Sequence, residues 1–251
     1  MKRMNLFVVA IFIALTAFTK TYQIDEKHHH VSESQSILVD VSHGQKFWND
    51  PETMISGDFN RVNYLNDELA KSVESLHAKI EFIHNEIDTD KLRVCDALFI
   101  HVPTSQYTQS EIKAINYYLE KGGSLFLVME VDYWSTLEQS NVNDLIEPFG
   151  LKFGDQIDDP TSGGHTKAGN ITRKALKIPF HGGRIIEGGI PFCYSDHNNE
   201  NVFGVSKELK SGGKIIAMGE AMVSLFMTSW NGVDGYECSD FMHYAFHYLL
   251  N

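Results

Sequence analysis

Cysteine and basic residues are the two scarcities of this sequence. Its 251 residues include three cysteines, Cys95, Cys193 and Cys238, too few and too scattered for a disulfide framework or a zinc knuckle. Spacing leaves one Cys193–Cys238 bridge open, while Cys95, at the head of an apolar run, reads as a small buried hydrophobe. Lysine and arginine number 21 against 33 acidic residues, a formal net charge of −12. A surface this acidic repels phosphate backbones and argues against nucleic acid as a partner. It leaves room for a local basic cluster that holds a sugar carboxylate. Internal repeats and an interdomain linker are also missing. Among His165, His181 and His197 no pair has the short helical spacing of a zinc motif, so no metal and no cofactor is expected.

The amino terminus carries the pattern of an export signal. Lys2 and Arg3 precede an apolar run from Leu6 to Phe18 of about 13 residues, within the range of a signal h-region and short of a membrane span. Residues 1–17 are read as a signal peptide, which implies a periplasmic or secreted protein with no stable membrane insertion after cleavage. Residues 18–35, including His28-His29-His30, lack hydrophobic periodicity and read as a flexible leader. Residues 36–251 are long enough for one α/β domain.

Periodicity outlines that domain. Ile37 to Val41 is a β-branched strand stopping at Ser42-His43-Gly44-Gln45. Asn63 to Ile80 has apolar residues at helical spacing, Ile80 to Ile83 opens a strand, and Ala97 to Val102 is a clearer one closed by Pro103. Thr108 and Glu111 form a capping box for a helix that ends at Gly122-Gly123. Ser124 to Met129 is apolar throughout, as in strands covered on both faces. A short helix follows over Val142–Phe149. Residues 154–213 form a Gly-rich excursion with weak strand signals at 184–186 and 202–205. Gly213–Gly219 returns as a core strand, and Asp240–Leu250 closes the chain as a helix. Strands alternating with helices give a Rossmann-like, flavodoxin/amidotransferase-like α/β fold, a mostly parallel sheet with helices on both faces.

Three blocks carry a family likeness. They are the strand running into Ser42-His43-Gly44-Gln45, the helix-Gly-Gly-strand of Glu111–Met129 with Glu147-Pro148-Phe149-Gly150-Leu151, and Gly213-Lys214-Ile215-Ile216-Ala217-Met218-Gly219-Glu220. In this order they resemble the class I glutamine-amidotransferase-like domain of unknown function associated with bacterial polysaccharide utilisation. The likeness spans about residues 36–151 and 213–250. Amidotransferases hold a nucleophilic cysteine in a Gly-x-Cys-x-Gly turn, which this sequence lacks, so glutamine hydrolysis is not expected. Export, small size and fold together look like the secreted dehydratases that process ulvan oligosaccharides.

Ligands of open α/β sheets bind beyond the carboxyl ends of the strands, and several strand ends here deliver polar or aromatic groups. His43 is a candidate acid or base, or a histidine that fixes its own turn. Glu130 and Glu220 are an acid/base pair or two ordinary carboxylates. Gln45, Trp48, Tyr133 and Trp134 are placed to contact a sugar, with core packing the alternative for each tryptophan. From the excursion, His165 and His181 are further candidates, and Arg184 is suited to grip a carboxylate bidentately or to lie solvated at the surface.

These residues lead to an expected function: an enzyme that acts on uronic-acid-containing oligosaccharides by elimination, as a dehydratase or lyase. Its catalytic set would be drawn from His43, His181, Tyr133, Glu130 and Glu220. Gln45, Trp48, Trp134, His165 and Arg184 would bind the acidic oligosaccharide. The alternative is a carbohydrate-binding module using the same crevice without chemistry.

Overall fold

In the computed structural model, residues 35–159, 163–197 and 201–251 are described. The signal-peptide and leader readings fall on residues outside this set, apart from the leader's last residue.

The chain runs β1 (Ser36–Asp40), α1 (Phe59–Val73), β2 (Lys79–Ile83), α2 (Thr89–Leu92), β3 (Ala97–His101), α3 (Gln109–Glu120) and β4 (Ser124–Val128). Then come α4 (Leu137–Ser140), α5 (Asn143–Ile146), β5 (Lys152–Ile157), β6 (Gly163–Thr166), β7 (Lys177–Pro179) and β8 (Gly183–Glu187). It closes with β9 (Ile190–Ser195), β10 (Val202–Glu208), β11 (Lys214–Met218), β12 (Ser229–Trp230), β13 (Val233–Asp234) and α6 (Cys238–Leu250). The main sheet has the order β2-β1-β3-β4-β11-β10-β9-β6-β7. Its first five strands are parallel and the other four join antiparallel.

Alternation along the parallel strands builds two cores. Ile37, Val39, Phe99, Phe126, Val128, Ile216 and Met218 face one side, where Leu65 and Leu69 of α1 and Phe241 and Phe246 of α6 pack. Leu38, Leu98, Ile100, Leu125, Leu127, Ile215 and Ala217 face the other, against Ile112 and Ile115 of α3 and Leu145 of α5. All five residues of β3 and of β4 are therefore buried, as expected for strands covered on both faces. The edge strand β2 alternates exposed and half-buried positions. Each fully buried leucine or phenylalanine contributes about 1.5–3 kcal/mol. The doubly wound α/β architecture expected from the sequence is the one observed. Chain order reverses between β1 and β3, which makes the carboxyl ends of those strands the topological switch point.

The capping box is present: Thr108 accepts from Glu111 N–H while the Glu111 carboxylate accepts from Thr108 N–H. Three local expectations are corrected. The first long helix starts at Phe59, not Asn63, because the Asp58 carboxylate accepts the Arg61 N–H and caps it, a contribution of about 1 kcal/mol. It ends at Val73; a 3-10 turn and the left-handed His77 (φ 54°) follow, and Ile80 belongs to β2. Second, the cysteines are all free and buried, and Cys193 Sγ lies against Met218 Sδ instead of Cys238. Third, the antiparallel set of the excursion is larger than its weak strand signals imply and continues the main sheet. Its strands β6, β7, β9 and β10 widen the main sheet, and only the β5–β8 ribbon stands apart.

Candidate functional site

Two buried polar clusters form at the carboxyl edge of the parallel strands. The first surrounds His43. Gly44 adopts φ +63°, where a Cβ would collide with Thr104 Oγ1, so the turn after β1 requires glycine. It is pinned to the loop after β3 by Thr104 N–H donating to the His43 carbonyl at 2.9 Å. His43 Nδ1 lies 2.9 Å from Asp40 Oδ2 and Nε2 lies 3.2 Å from Glu111 Oε1. Its ring stacks on Tyr107 with centroids 3.9 Å apart, and the Tyr107 hydroxyl donates to Asp40. Burial opposes a charge on the imidazole, but the Asp40 and Glu111 carboxylates outweigh it and hold the pKa above the usual histidine value. Burial would raise the Asp40 carboxyl; hydrogen bonding and attraction from His43, with Ser42 and Tyr107, lower it instead. With both nitrogens engaged and 6% exposure, His43 ties the end of β1 to the first turn of α3.

The second cluster joins β4, β11 and the excursion. Glu130 Oε1 accepts from Val131 N–H and Oε2 from Ala221 N–H. Glu220 Oε1 accepts from Met222 N–H and Oε2 from His181 N–H. Burial raises the pKa of both carboxyls, and the Glu130 charge pushes Glu220 further. The two carboxyls bear on one another, so ionising one disfavours ionising the other. Arg184 lies alongside: Nε donates to the Glu130 carbonyl, Nη1 to the Gly154 carbonyl and Nη2 to the Asp132 carboxylate. Its backbone N–H donates to the Gly219 carbonyl, an approach that a Cβ on Gly219 would block. His181 Nδ1 is buried without a partner, and the ring meets Trp230 edge-on at 5.5 Å.

The structure thus brings Glu130, Glu220, His181 and Arg184 together. His43 stands in a separate network, and its contacts among the described residues include none of those four. Trp48 is 1% exposed and packs against Phe99. Gln45 accepts the His101 N–H through Oε1. Tyr133 is 82% exposed and meets Trp134 edge-on at 4.8 Å; Trp134 in turn meets Phe47 at 5.0 Å and lies 5.5 Å from Lys46 Nζ. His165 lies on β6 in the antiparallel half, paired with Asp196 at 2.6 Å and stacked on Tyr194. Asp40 and Tyr107 were not singled out in the sequence, because nothing local marks them as histidine partners. Among the described residues no three histidine, cysteine, aspartate or glutamate side chains gather as metal ligands.

After β3 the backbone turns through Val102, with φ 45°. Some α/β hydrolases hold their nucleophile on a sharp, strained strand-to-helix turn. Valine supplies none, and the strain costs about 1–3 kcal/mol.

Comparison with known proteins places this geometry among related folds. The IFT52 GIFT domain family profile matches residues 57–158, from the loop before α1 to the residue after β5. The N-terminal domain of mmIFT52 superposes with a TM-score of 0.64 at 16% identity, over 86% of this chain and 97% of that one. Alpha-L-fucosidase isoenzyme 2 from Paenibacillus thiaminolyticus gives 0.57 at 11% identity, over 86% of this chain and 33% of the fucosidase. A thua-like protein from Bacteroides uniformis gives 0.49 at 12% identity, over 86% and 91% of the two chains. No curated protein matches the sequence. At these identities the chain is similar to the first two structures in fold.

Proposed function

We propose that this chain is an exported domain that binds acidic oligosaccharides without transforming them. The observation that carries this reading is the rim of Lys46, Phe47, Tyr133 and Trp134. Aromatic faces and an exposed ammonium stand together there, 5.0 Å between the Phe47 and Trp134 centroids and 5.5 Å from Lys46 Nζ to the Trp134 ring. Pyranose rings present apolar C–H faces that pack on aromatic rings, and a nearby cation favours a uronate over a neutral sugar. An exposed tyrosine beside a half-buried tryptophan also loses little side-chain freedom on binding. Export is supported by the amino-terminal Lys2-Arg3 and Leu6–Phe18 pattern. The fold is shared with one part of an alpha-L-fucosidase, which sets it beside carbohydrate chemistry in at least one other protein.

Binding is favoured over elimination because the groups that chemistry needs are engaged within the chain. His43 has a carboxylate on each nitrogen. Arg184 is buried and already holds the Glu130 and Gly154 carbonyls and the Asp132 carboxylate. Affinity electrophoresis in gels containing acidic polysaccharides tests the reading. Retention that disappears in Trp134→Ala is expected, and unretarded migration across alginate, pectate and ulvan gels would refute it.

The second reading is elimination from a uronate-terminated oligosaccharide, as a dehydratase or lyase, and one observation favours it. Burial and the Glu130 charge raise the Glu220 pKa, and Glu220 accepts the backbone N–H of His181, whose ring Nδ1 has no partner. Release of an unsaturated uronate, lost in Glu220→Gln, would establish it.

A further inference from the structure

Five nitrogens around the carboxyl end of β3 are shut off from solvent and lack a hydrogen-bond partner: Gln45 Nε2, Trp48 Nε1, Arg61 Nε and both ring nitrogens of His101. They are neighbours. The His101 ring lies 5.9 Å from Phe47 and 6.2 Å from Trp48, and the Arg61 guanidinium lies 5.9 Å from the Phe47 ring. The Gln45 orientation is fixed, because the His101 N–H it receives at 2.9 Å demands the carbonyl oxygen and leaves the amide nitrogen free. His101 leans toward the Ala221 backbone without an ordinary hydrogen bond. Burial, with the Arg61 charge adding to it, holds its pKa at about 3, so the ring is neutral.

An unpartnered buried polar atom is costly, and folded proteins leave few of them. Several in one place, next to the strained Val102, mark a site built for an occupant. The chemistry of the set says which. The glutamine, indole and guanidinium nitrogens only donate, and neutral His101 adds one donor and one acceptor. Arg61 brings a full positive charge and forms no ion pair among the described residues. A carboxylate offers acceptor oxygens to these donors and an opposite charge to Arg61.

We infer that Arg61, Gln45, Trp48 and His101 form a recognition site for the carboxylate of a uronic acid residue, whose ring lies on Phe47 and Trp134. The inference rests on the binding reading and adds its specificity: the acid group is read inside the rim, at the topological switch point between β1 and β3. Gln45 and Arg61, each only half-buried, form the way in.

Calorimetric titration of the full chain tests it. The probes are trigalacturonate, triguluronate and the unsaturated trisaccharide of ulvan, each beside its carboxyl-reduced counterpart. At least one acidic probe is expected to bind about tenfold or more tighter than its reduced form, a difference of about 1.4 kcal/mol. Arg61→Gln and Trp48→Phe are expected to bring the two affinities together. Unliganded Arg61→Gln, changed at a half-buried side chain, is expected to melt close to wild type, which separates recognition from folding. Equal affinity for acidic and reduced probes, with Trp134→Ala abolishing both, overturns the carboxylate site and leaves the binding reading standing. A preference for acid that survives both substitutions also overturns it. Wild-type protein that binds none of the probes refutes the binding reading and the site with it.

Discussion

The carboxyls of Glu130 and Glu220 sit side by side beyond neighbouring parallel strands, and each of their four oxygens accepts one backbone N–H. The pair joins the ends of β4 and β11 to the segment at His181, and so fastens the excursion to the parallel half of the sheet. Burial raises both pKa values, and proximity raises that of Glu220 further. The cluster is thereby a structural clasp whose strength depends on pH.

The sign of that dependence follows from the raised pKa values. A carboxyl with a folded pKa above its unfolded value near 4.5 contributes stability fully present below pH 4.5 and lost as pH rises through the folded pKa. Glu220→Gln cannot ionise, but its amide nitrogen loses one acceptor position. The variant is expected to be about 1–3 kcal/mol less stable than wild type at pH 5, with the gap closing at pH 9. Urea unfolding at both pH values measures it; a gap that stays constant would show that ionisation of the pair is not involved.

The His43 network works through two opposite shifts. Asp40 and Glu111 have lowered pKa values, so their contribution is present above their unfolded values and lost as pH falls through the folded ones. His43 has a raised pKa, so its contribution is full below about 6.5 and lost as pH rises through the folded value. His43→Ala leaves two buried carboxylates unpaired and is expected to cost about 3–5 kcal/mol at pH 6. The cost is expected to shrink toward pH 10, where the wild-type ring is neutral too. Thermal denaturation followed by circular dichroism across pH 5–10 gives the comparison. Retained oligosaccharide affinity in the folded variant would separate this structural role from a binding one.

Rim residues should behave in the reverse way. Tyr133→Ala and Lys46→Ala alter exposed side chains and are expected to change stability by less than about 0.5 kcal/mol. Their affinity for an acidic trisaccharide should fall about fivefold to tenfold, and for Lys46→Ala the loss should shrink in high salt, as for any exposed charge. Titrations at low and high ionic strength would show a salt-insensitive loss if Lys46 acted through packing instead.

What the sequence made legible were the features fixed locally. The β3-α3-β4 unit carries its own punctuation, with a capping box at Thr108 and Glu111, Gly122-Gly123 at the helix end, and strands apolar on both faces. The start of α1 differs because Asp58 caps a helix that begins four residues ahead of Asn63. The antiparallel half was faint because β6 and β7 are only four and three residues long, β6 and β10 carry glycines, and β6 pairs with β9 beyond the intervening β7 and β8. Glu130 and Glu220 could be grouped from strand ends alone, while His181 and Arg184 come from the excursion. The partners of His43 could not, since Tyr107 and Glu111 arrive from the far side of two strands. Arg61 lies inside an amphipathic helix, where an arginine looks like any solvated charge, and only its unpartnered Nε beside His101 gives it a role.

The central claim is binding without chemistry on the rim of Lys46, Phe47, Tyr133 and Trp134. Mass spectrometry of acidic oligosaccharides recovered after incubation with the protein, combined with titration of wild type and Trp134→Ala, tests it most directly. The account predicts unaltered oligosaccharides and an affinity that Trp134→Ala removes. Products lighter by one water, or cleaved with an unsaturated end, would contradict it.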